Sequence, residues 1–186
     1  METISCGDVA EWEAWLADNH AIRDGIWVRI AKKGSGERSV TAAEAGEAAL
    51  CFGWIDSHRK GLDATHFLQK YSPRRRGSSW SRVNVERVEA LIAAGRMRPS
   101  GLAEVEAARA DGRWAAAYAS QRTATVPEDL AAALAADGEA RAFFEQLPRT
   151  DRYAVILRLL KARTPAGREA QLRRMIALLH TGQRVG

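Results

Sequence analysis

Thr41-Ala42-Ala43-Glu44-Ala45-Gly46-Glu47-Ala48-Ala49-Leu50-Cys51-Phe52-Gly53-Trp54-Ile55-Asp56 holds a helix start, a helix stop and a strand start in one run. Thr41 with Glu44 three residues on is a capping box, in which each side chain satisfies a backbone N–H near the other residue. The Ala- and Leu-rich run behind it favours helix, and Gly53 ends it. Residues 54–58 then read as a short strand, Lys60-Gly61-Leu62-Asp63 as its turn and residues 65–71 as the partner strand. Upstream, Asp8 caps a first helix whose Val9, Trp12 and Leu16 recur at three- and four-residue spacing, with Trp15 at the edge of that face. Residues 26–30 alternate, with Ile26, Val28 and Ile30 on one face and Trp27 and Arg29 on the other, until Lys33-Gly34-Ser35-Gly36 ends the strand. One strand, a helix and two strands predict an α+β lobe with a small, mostly antiparallel sheet and packed helices.

Downstream, Pro73, Gly77 and three serines exclude regular structure over residues 72–79. Ser79 or Ser81 then caps a helix with Val88, Leu91 and Ile92 inward, ending at Gly95. From Pro99 the pattern is helical, with Leu102 and Val105 before Gly112, then Trp114 and Tyr118. The polar break at residues 121–125 marks a boundary between an α+β lobe at 1–120 and an all-helical lobe at 121–186. In the second lobe Thr125 before Pro127 signals a helix start, Leu130 and Leu134 follow, and Asp137-Gly138 closes the element. Phe143, Phe144 and Leu147 make a short helix before Pro148, and Thr150 caps the next. Thr164-Pro165 opens the last, with Leu172, Met175, Ile176 and Leu179 inward and Arg168, Arg173 and Arg174 nearer its surface.

The chain has 186 residues, 46% of them apolar and 27% charged, in the range of a globular protein. No apolar run approaches the ~20 residues of a spanning helix, and the first residues lack the basic start and apolar stretch of a signal peptide. A cytoplasmic protein without membrane insertion is therefore expected. Cys6 and Cys51 are too few for a disulfide framework and lack paired metal-site spacing. Cys51 reads as a small core residue, with a nucleophile served by His58 as the chemical alternative. Charge is unevenly spread: the net +5 resolves into −4 over residues 1–53, +5 over 54–84, −3 over 85–151 and +7 over 152–186. Two basic blocks suit the recognition of anionic groups, and equally a solvated Arg-rich surface.

The first basic block also holds the candidate site. Trp54 and Asp56 share a strand face, a carboxylate beside an indole. Arg74 and Arg75, with Arg76 behind Pro73, offer planar forks to carboxylates or phosphates. Trp80 and Asn84, four residues apart, share a face at a helix start, where backbone N–H groups favour anions. Trp54, Asp56, Arg74, Arg75, Trp80 and Asn84 form the expected ligand-binding set. The structural alternatives are an ion pair of Asp56 with Arg59, Arg74 or Arg75, and Trp80 as a wedge between sheet and helix. No Gly-x-Ser-x-Gly elbow, phosphate loop, dinucleotide fingerprint or His-Glu-x-x-His pair occurs. His58 and His66 can face each other across the hairpin, yet His20, His58, His66 and His180 lack metal-ligand spacing. No catalytic residue, metal or cofactor is assigned.

The residues Ala49-Leu50-Cys51-Phe52-Gly53-Trp54-Ile55-Asp56, Ser72-Pro73-Arg74, Ser79-Trp80-Ser81 with Asn84, Gly95-Arg96-Met97, and Val126-Pro127-Glu128-Asp129-Leu130 with Ala133-Leu134 resemble the bacterial YdeI/OmpD-associated, or bacteriocin-protection, family over nearly the whole chain. Near the end the pattern departs: relatives tend to read Ala-Lys-x-x-Glu-Thr-Arg, against Ala162-Arg163-Thr164-Pro165-Ala166-Gly167-Arg168 here, so Arg168 survives and the Glu and Thr do not. The resemblance implies protection from an antimicrobial compound. Together with the aromatic and arginine set, it predicts a binding protein that sequesters a small-molecule or peptide ligand between its lobes. The alternatives are a nucleic-acid-binding module reading through the basic blocks, and an enzyme modifying the compound with Asp56 or His58 as acid or base.

Overall fold

The computed structural model describes residues 2–185 and divides them into two compact units. The first comprises residues up to Trp80 together with 84–116, the second residues 81–83 together with 117 onward. The expected α+β class, with sheet and helices first and helices alone afterwards, is what the structure has.

The first unit begins with β1 (Thr3–Ser5), which the sequence pattern did not reveal because three residues carry no period. Helix α1 (Val9–Asn19) follows, capped by the Asp8 carboxylate accepting from Glu11 N, and then β2 (Ile26–Ala31). The capping box at Thr41 and Glu44 opens α2 (Ala42–Cys51) as read. The hairpin is longer than expected, β3 (Trp54–Gly61) with β4 (His66–Pro73). The four strands run in the order β1-β2-β4-β3, with β1 parallel to β2 and the other two pairs antiparallel. Ile26, Val28 and Ile30 are buried under α1 and α2, with Trp54 and Tyr71 on that same face, while Trp27, Arg29 and Lys70 take the opposite one. There the Lys60 ammonium lies 4.6 Å from the centre of the Trp27 ring.

Helix α3 (Arg82–Ala93) starts directly after Ser81, and α4 (Pro99–Ala110) after Arg98. Two expectations fail here. Leu102 is 37% exposed, while Val105 is buried as its place in the pattern suggests, together with Gly101 and Ala108. Helix also stops at Ala110; beyond it the chain turns back so that Trp114 N–H bonds the Ala108 carbonyl at 3.0 Å, and Trp114 and Tyr118 lie outside helix. Gly53 and Gly101 set how α4 meets the end of α2. Gly53 takes φ of +79°, and a Cβ on Gly101 would stand 2.2 Å from the Cys51 carbonyl oxygen, so only glycine permits this approach.

The second unit holds α5 (Glu128–Ala136), α6 (Gly138–Gln146), α7 (Arg149–Leu160) and α8 (Pro165–His180). Leu130, Leu134, Phe144, Val155, Leu159, Met175 and Leu179 make its core. Asp137 both ends α5 and caps α6 by accepting from Ala140 N, and Thr164 caps α8. The cap position of α7 belongs to Pro148, with Thr150 inside the first turn, because proline's fixed φ suits an entry where no N–H is needed. Arg168 forks both Asp129 carboxylate oxygens at 2.7 and 3.0 Å and donates to the Leu159 carbonyl at 3.0 Å, tying α8 to α5 and α7.

Candidate functional site

Two of the residues singled out from the sequence are structural anchors in this fold. Trp54 is 0% exposed. Its ring meets Trp12 and Trp15 edge-on, with centroids 6.5 and 5.9 Å away, and its indole N–H donates to the His20 carbonyl at 2.9 Å. Trp12 in turn donates to the Ala45 carbonyl at 3.1 Å and leans on Tyr71 at 5.5 Å. Indole N–H groups thus lock α1 to α2, and β3 to the turn after α1. Burial, and to a lesser degree the nearby Asp56 carboxylate, push the Tyr71 phenol far above its ordinary pKa, so it stays neutral.

Trp80 is 2% exposed and belongs to a different cluster. The Arg74 guanidinium stacks 3.7 Å from the Trp80 ring centre and donates to the Ser79 carbonyl at 2.8 Å, while Trp114 packs on Trp80 with centroids 4.8 Å apart. The buried Arg113 forks Asp111 through Nε at 2.7 and 2.8 Å and donates to the Ser78 carbonyl at 2.9 Å, closing the loop from the other side. Arg74 and Trp80 are therefore brought together, and their contact orders the loop. Arg75 and Asp56 lie exposed, and Asn84 sits half-buried in the first turn of α3.

A concave site stands beside Trp54. A cleft of about 540 Å³ is lined by Ala10, Glu13, Ala14, Ala17 and His20 along α1, by Phe52 at the end of α2, and by Arg98, Pro99 and Ser100 at the start of α4. The three alanines leave the α1 wall low, so Phe52 forms an apolar floor. Each polar group on the rim is positioned. Trp54 holds the His20 backbone, and the His20 ring lies 6.1 Å from Phe52. Arg98 N–H bonds the Cys51 carbonyl at 3.0 Å, its guanidinium lies 5.8 Å from the Phe52 ring centre, and the Ser100 hydroxyl bonds the Phe52 carbonyl at 3.0 Å. Glu13 is steadied by Arg96 at 3.3 Å, and Arg96 also reaches Glu47 at 3.0 Å. Helix α4 has no side-chain cap hydrogen bond, so its start adds a partial positive charge at Arg98.

Little in the cleft invites nucleophilic chemistry. Cys51 is buried and its thiol pKa is raised, chiefly by desolvation, so the thiol stays protonated; His58 lies exposed on β3. His66 is held by Arg29 at 3.1 Å and the Thr65 hydroxyl at 2.8 Å. Among the described residues no group of three or more His, Cys, Asp or Glu is placed to hold a metal ion, and no helix is long and apolar enough to cross a membrane.

Sequence reading reached the cleft only through Phe52 and Trp54. The signal for the rest was present as Ala10, Ala14 and Ala17, small residues recurring on one side of a helix, and as Arg98-Pro99-Ser100 at a helix start. Alanines on an outer face read as filler.

Residues 4–104 match a family model described as a domain of unknown function (DUF8412); the match spans more than half of the chain, which belongs to that family. Residues 123–182 match the model described as bacteriocin-protection, YdeI or OmpD-associated, so the resemblance read from the sequence holds over the helical unit, a narrower span than expected. No curated protein and no solved structure matches the chain.

Proposed function

We propose that this chain is a cytoplasmic binding protein that protects its host by sequestering a small peptide-like antimicrobial compound in the cleft over Phe52. The cleft carries the reading: its volume, about 540 Å³, lies within the range of roughly 300–1,000 Å³ common for small-ligand sites, and opposite charges stand on its rim above an apolar floor. Arg98 at the start of α4 suits a carboxylate, Glu13 suits an amine, and Phe52 with the α1 alanines suits an apolar side chain. The match of residues 123–182 to a bacteriocin-protection family supports the protective role. Trp54 serves this site from behind, by fixing His20.

The basic blocks support this reading over a nucleic-acid interface. Arg74 is enclosed, Arg168 is bound to Asp129, and Arg173 pairs with Glu169 at the surface, so part of the positive charge already has partners within the protein. The test is calorimetry with a panel of peptide antibiotics, comparing the wild type with Ala14→Trp. Ala14 is exposed on α1, so the indole fills the cleft without entering the core. Binding to the wild type and its loss in the variant, at unchanged melting temperature, are expected; full affinity in the variant would remove the cleft from the account. Mass spectrometry should return the bound compound unaltered.

A further inference from the structure

A second cavity, of about 700 Å³, lies under the loop that joins β2 to α2. Its floor is Ile30, Phe67 and Ala42, and its rim carries Lys32, Lys33 and Arg59 against one acid, Glu37. We propose that this cavity binds an amphipathic anion, an apolar chain or ring ending in a carboxylate or a phosphate.

The argument rests on Arg59. Pairing between β3 and β4 slips between Asp56 and Arg59, and this bulge returns Arg59 to the sheet face that carries Gln69 and Phe67. Once there, the side chain is held at two points. Its guanidinium lies 4.5 Å from the Phe67 ring centre, and its Nε donates to Gln69 Oε1 at 2.8 Å. Gln69 is 2% exposed and donates its own Nε2 to the His58 carbonyl at 3.1 Å, so the support is itself fixed. A buried amide on a face that otherwise carries Val28, Ile30 and Tyr71 has the effect of aiming one arginine. Arg59 thereby presents its terminal nitrogens in a set orientation over an apolar floor, the arrangement that favours a planar or tetrahedral oxyanion.

Two of the rim cations have neutral hydrogen-bond partners. Arg59 meets the Gln69 amide, and Lys32 Nζ donates to the Asp63 carbonyl at 2.7 Å. The loop is tied at both ends, by Lys32 N–H to the Thr65 carbonyl at 2.7 Å and by Ala31 N–H to the Ser39 hydroxyl at 2.8 Å, so the cavity has a roof with fixed edges. Helix α2 starts at its edge, but Thr41 and Glu44 already occupy that helix end through their capping box. The anion is therefore held by side chains and the tail by Ile30, Phe67 and Ala42.

Titration calorimetry of the full chain tests this with four probes: decanoate, octyl phosphate, inorganic phosphate and octan-1-ol. Decanoate or octyl phosphate should bind at least about tenfold more tightly than phosphate or octanol alone, since head and tail each contribute. The tighter of the two amphiphiles identifies the head group. Arg59→Gln should weaken that binding about tenfold or more, the loss of a charge-assisted contact. Ala42→Trp, which fills the cavity from the helix edge, should abolish it, and Ala14→Trp should leave it unchanged because that residue belongs to the cleft over Phe52. Failure of both amphiphiles to bind the wild type at millimolar concentration overturns the proposal. So does binding that survives intact in both Arg59→Gln and Ala42→Trp.

Discussion

All six tryptophans of the chain, Trp12, Trp15, Trp27, Trp54, Trp80 and Trp114, lie in the first unit, while the second is cored by leucine, isoleucine, valine, methionine and phenylalanine. The difference is one of directionality. Aliphatic side chains fill space without preferring an orientation, so the helical unit takes its fixed geometry from caps and from the Arg168–Asp129 fork. In the first unit Trp12 and Trp54 each fill space and also pin a backbone carbonyl of another element, at Ala45 and His20. Pinned backbones keep a cleft open where an aliphatic core would close around it. The proposed ligand cleft accordingly lies with the tryptophans.

Trp54→Ala strains this comparison most. The loss of a fully buried indole should cost about 3–5 kcal/mol in chemical denaturation followed by tryptophan fluorescence, which reads the first unit alone. A cost below about 1 kcal/mol would mean that the ring does not hold the unit together. In the helical unit Arg168→Ala should cost roughly 1–2 kcal/mol, read by far-ultraviolet circular dichroism, because the fork is half-exposed and partly screened. Its sign with pH is fixed: the hydrogen bond from Arg168 leads the causes that lower the Asp129 pKa, so the stabilisation stands above the ordinary aspartate pKa and is lost as pH falls through the lower folded value. Arg168→Ala should flatten that acid limb.

The two buried indoles provide a finer comparison. Trp54 Nε1 has its partner, whereas Trp80 Nε1 is buried with no hydrogen-bond partner among the described residues. Trp54→Phe should therefore cost about 1 kcal/mol more than Trp80→Phe, the net value of one buried hydrogen bond. Equal costs in urea titrations would dissolve the distinction. The smallest effect is expected at His180, whose pKa is raised first by its hydrogen bond to Asp137 and then by that carboxylate's charge. Its contribution is complete below the ordinary histidine pKa and fades as pH rises through the raised value, so His180→Ala should alter the pH profile of the melting temperature only on that side.

The elements that carry strong local signals were legible in the sequence. Thr41 with Glu44, Asp8, Thr164 and the alternation at residues 26–30 each specify structure within a few residues, and each stands where the pattern puts it. The three residues of β1 were too few to show a period, and Trp114 and Tyr118 kept helical spacing in a segment that turns. For the site, composition singled out residues 54–84, whereas the cleft is lined from α1, Phe52 and the start of α4. A tryptophan that recognises a ligand and one that locks a core look alike in sequence; only the 0% exposure of Trp54 separates them. The cleft itself depends on Gly53 and Gly101 letting α4 approach α2, a contact between residues distant along the chain.

The most direct test is a map of backbone amide chemical-shift changes as the tightest-binding peptide antibiotic is titrated into the protein. The account predicts that the largest changes fall on Ala10, Ala14, Ala17, His20, Phe52, Arg98 and Ser100. Changes concentrated at residues 74–84, with those seven amides silent, would contradict it.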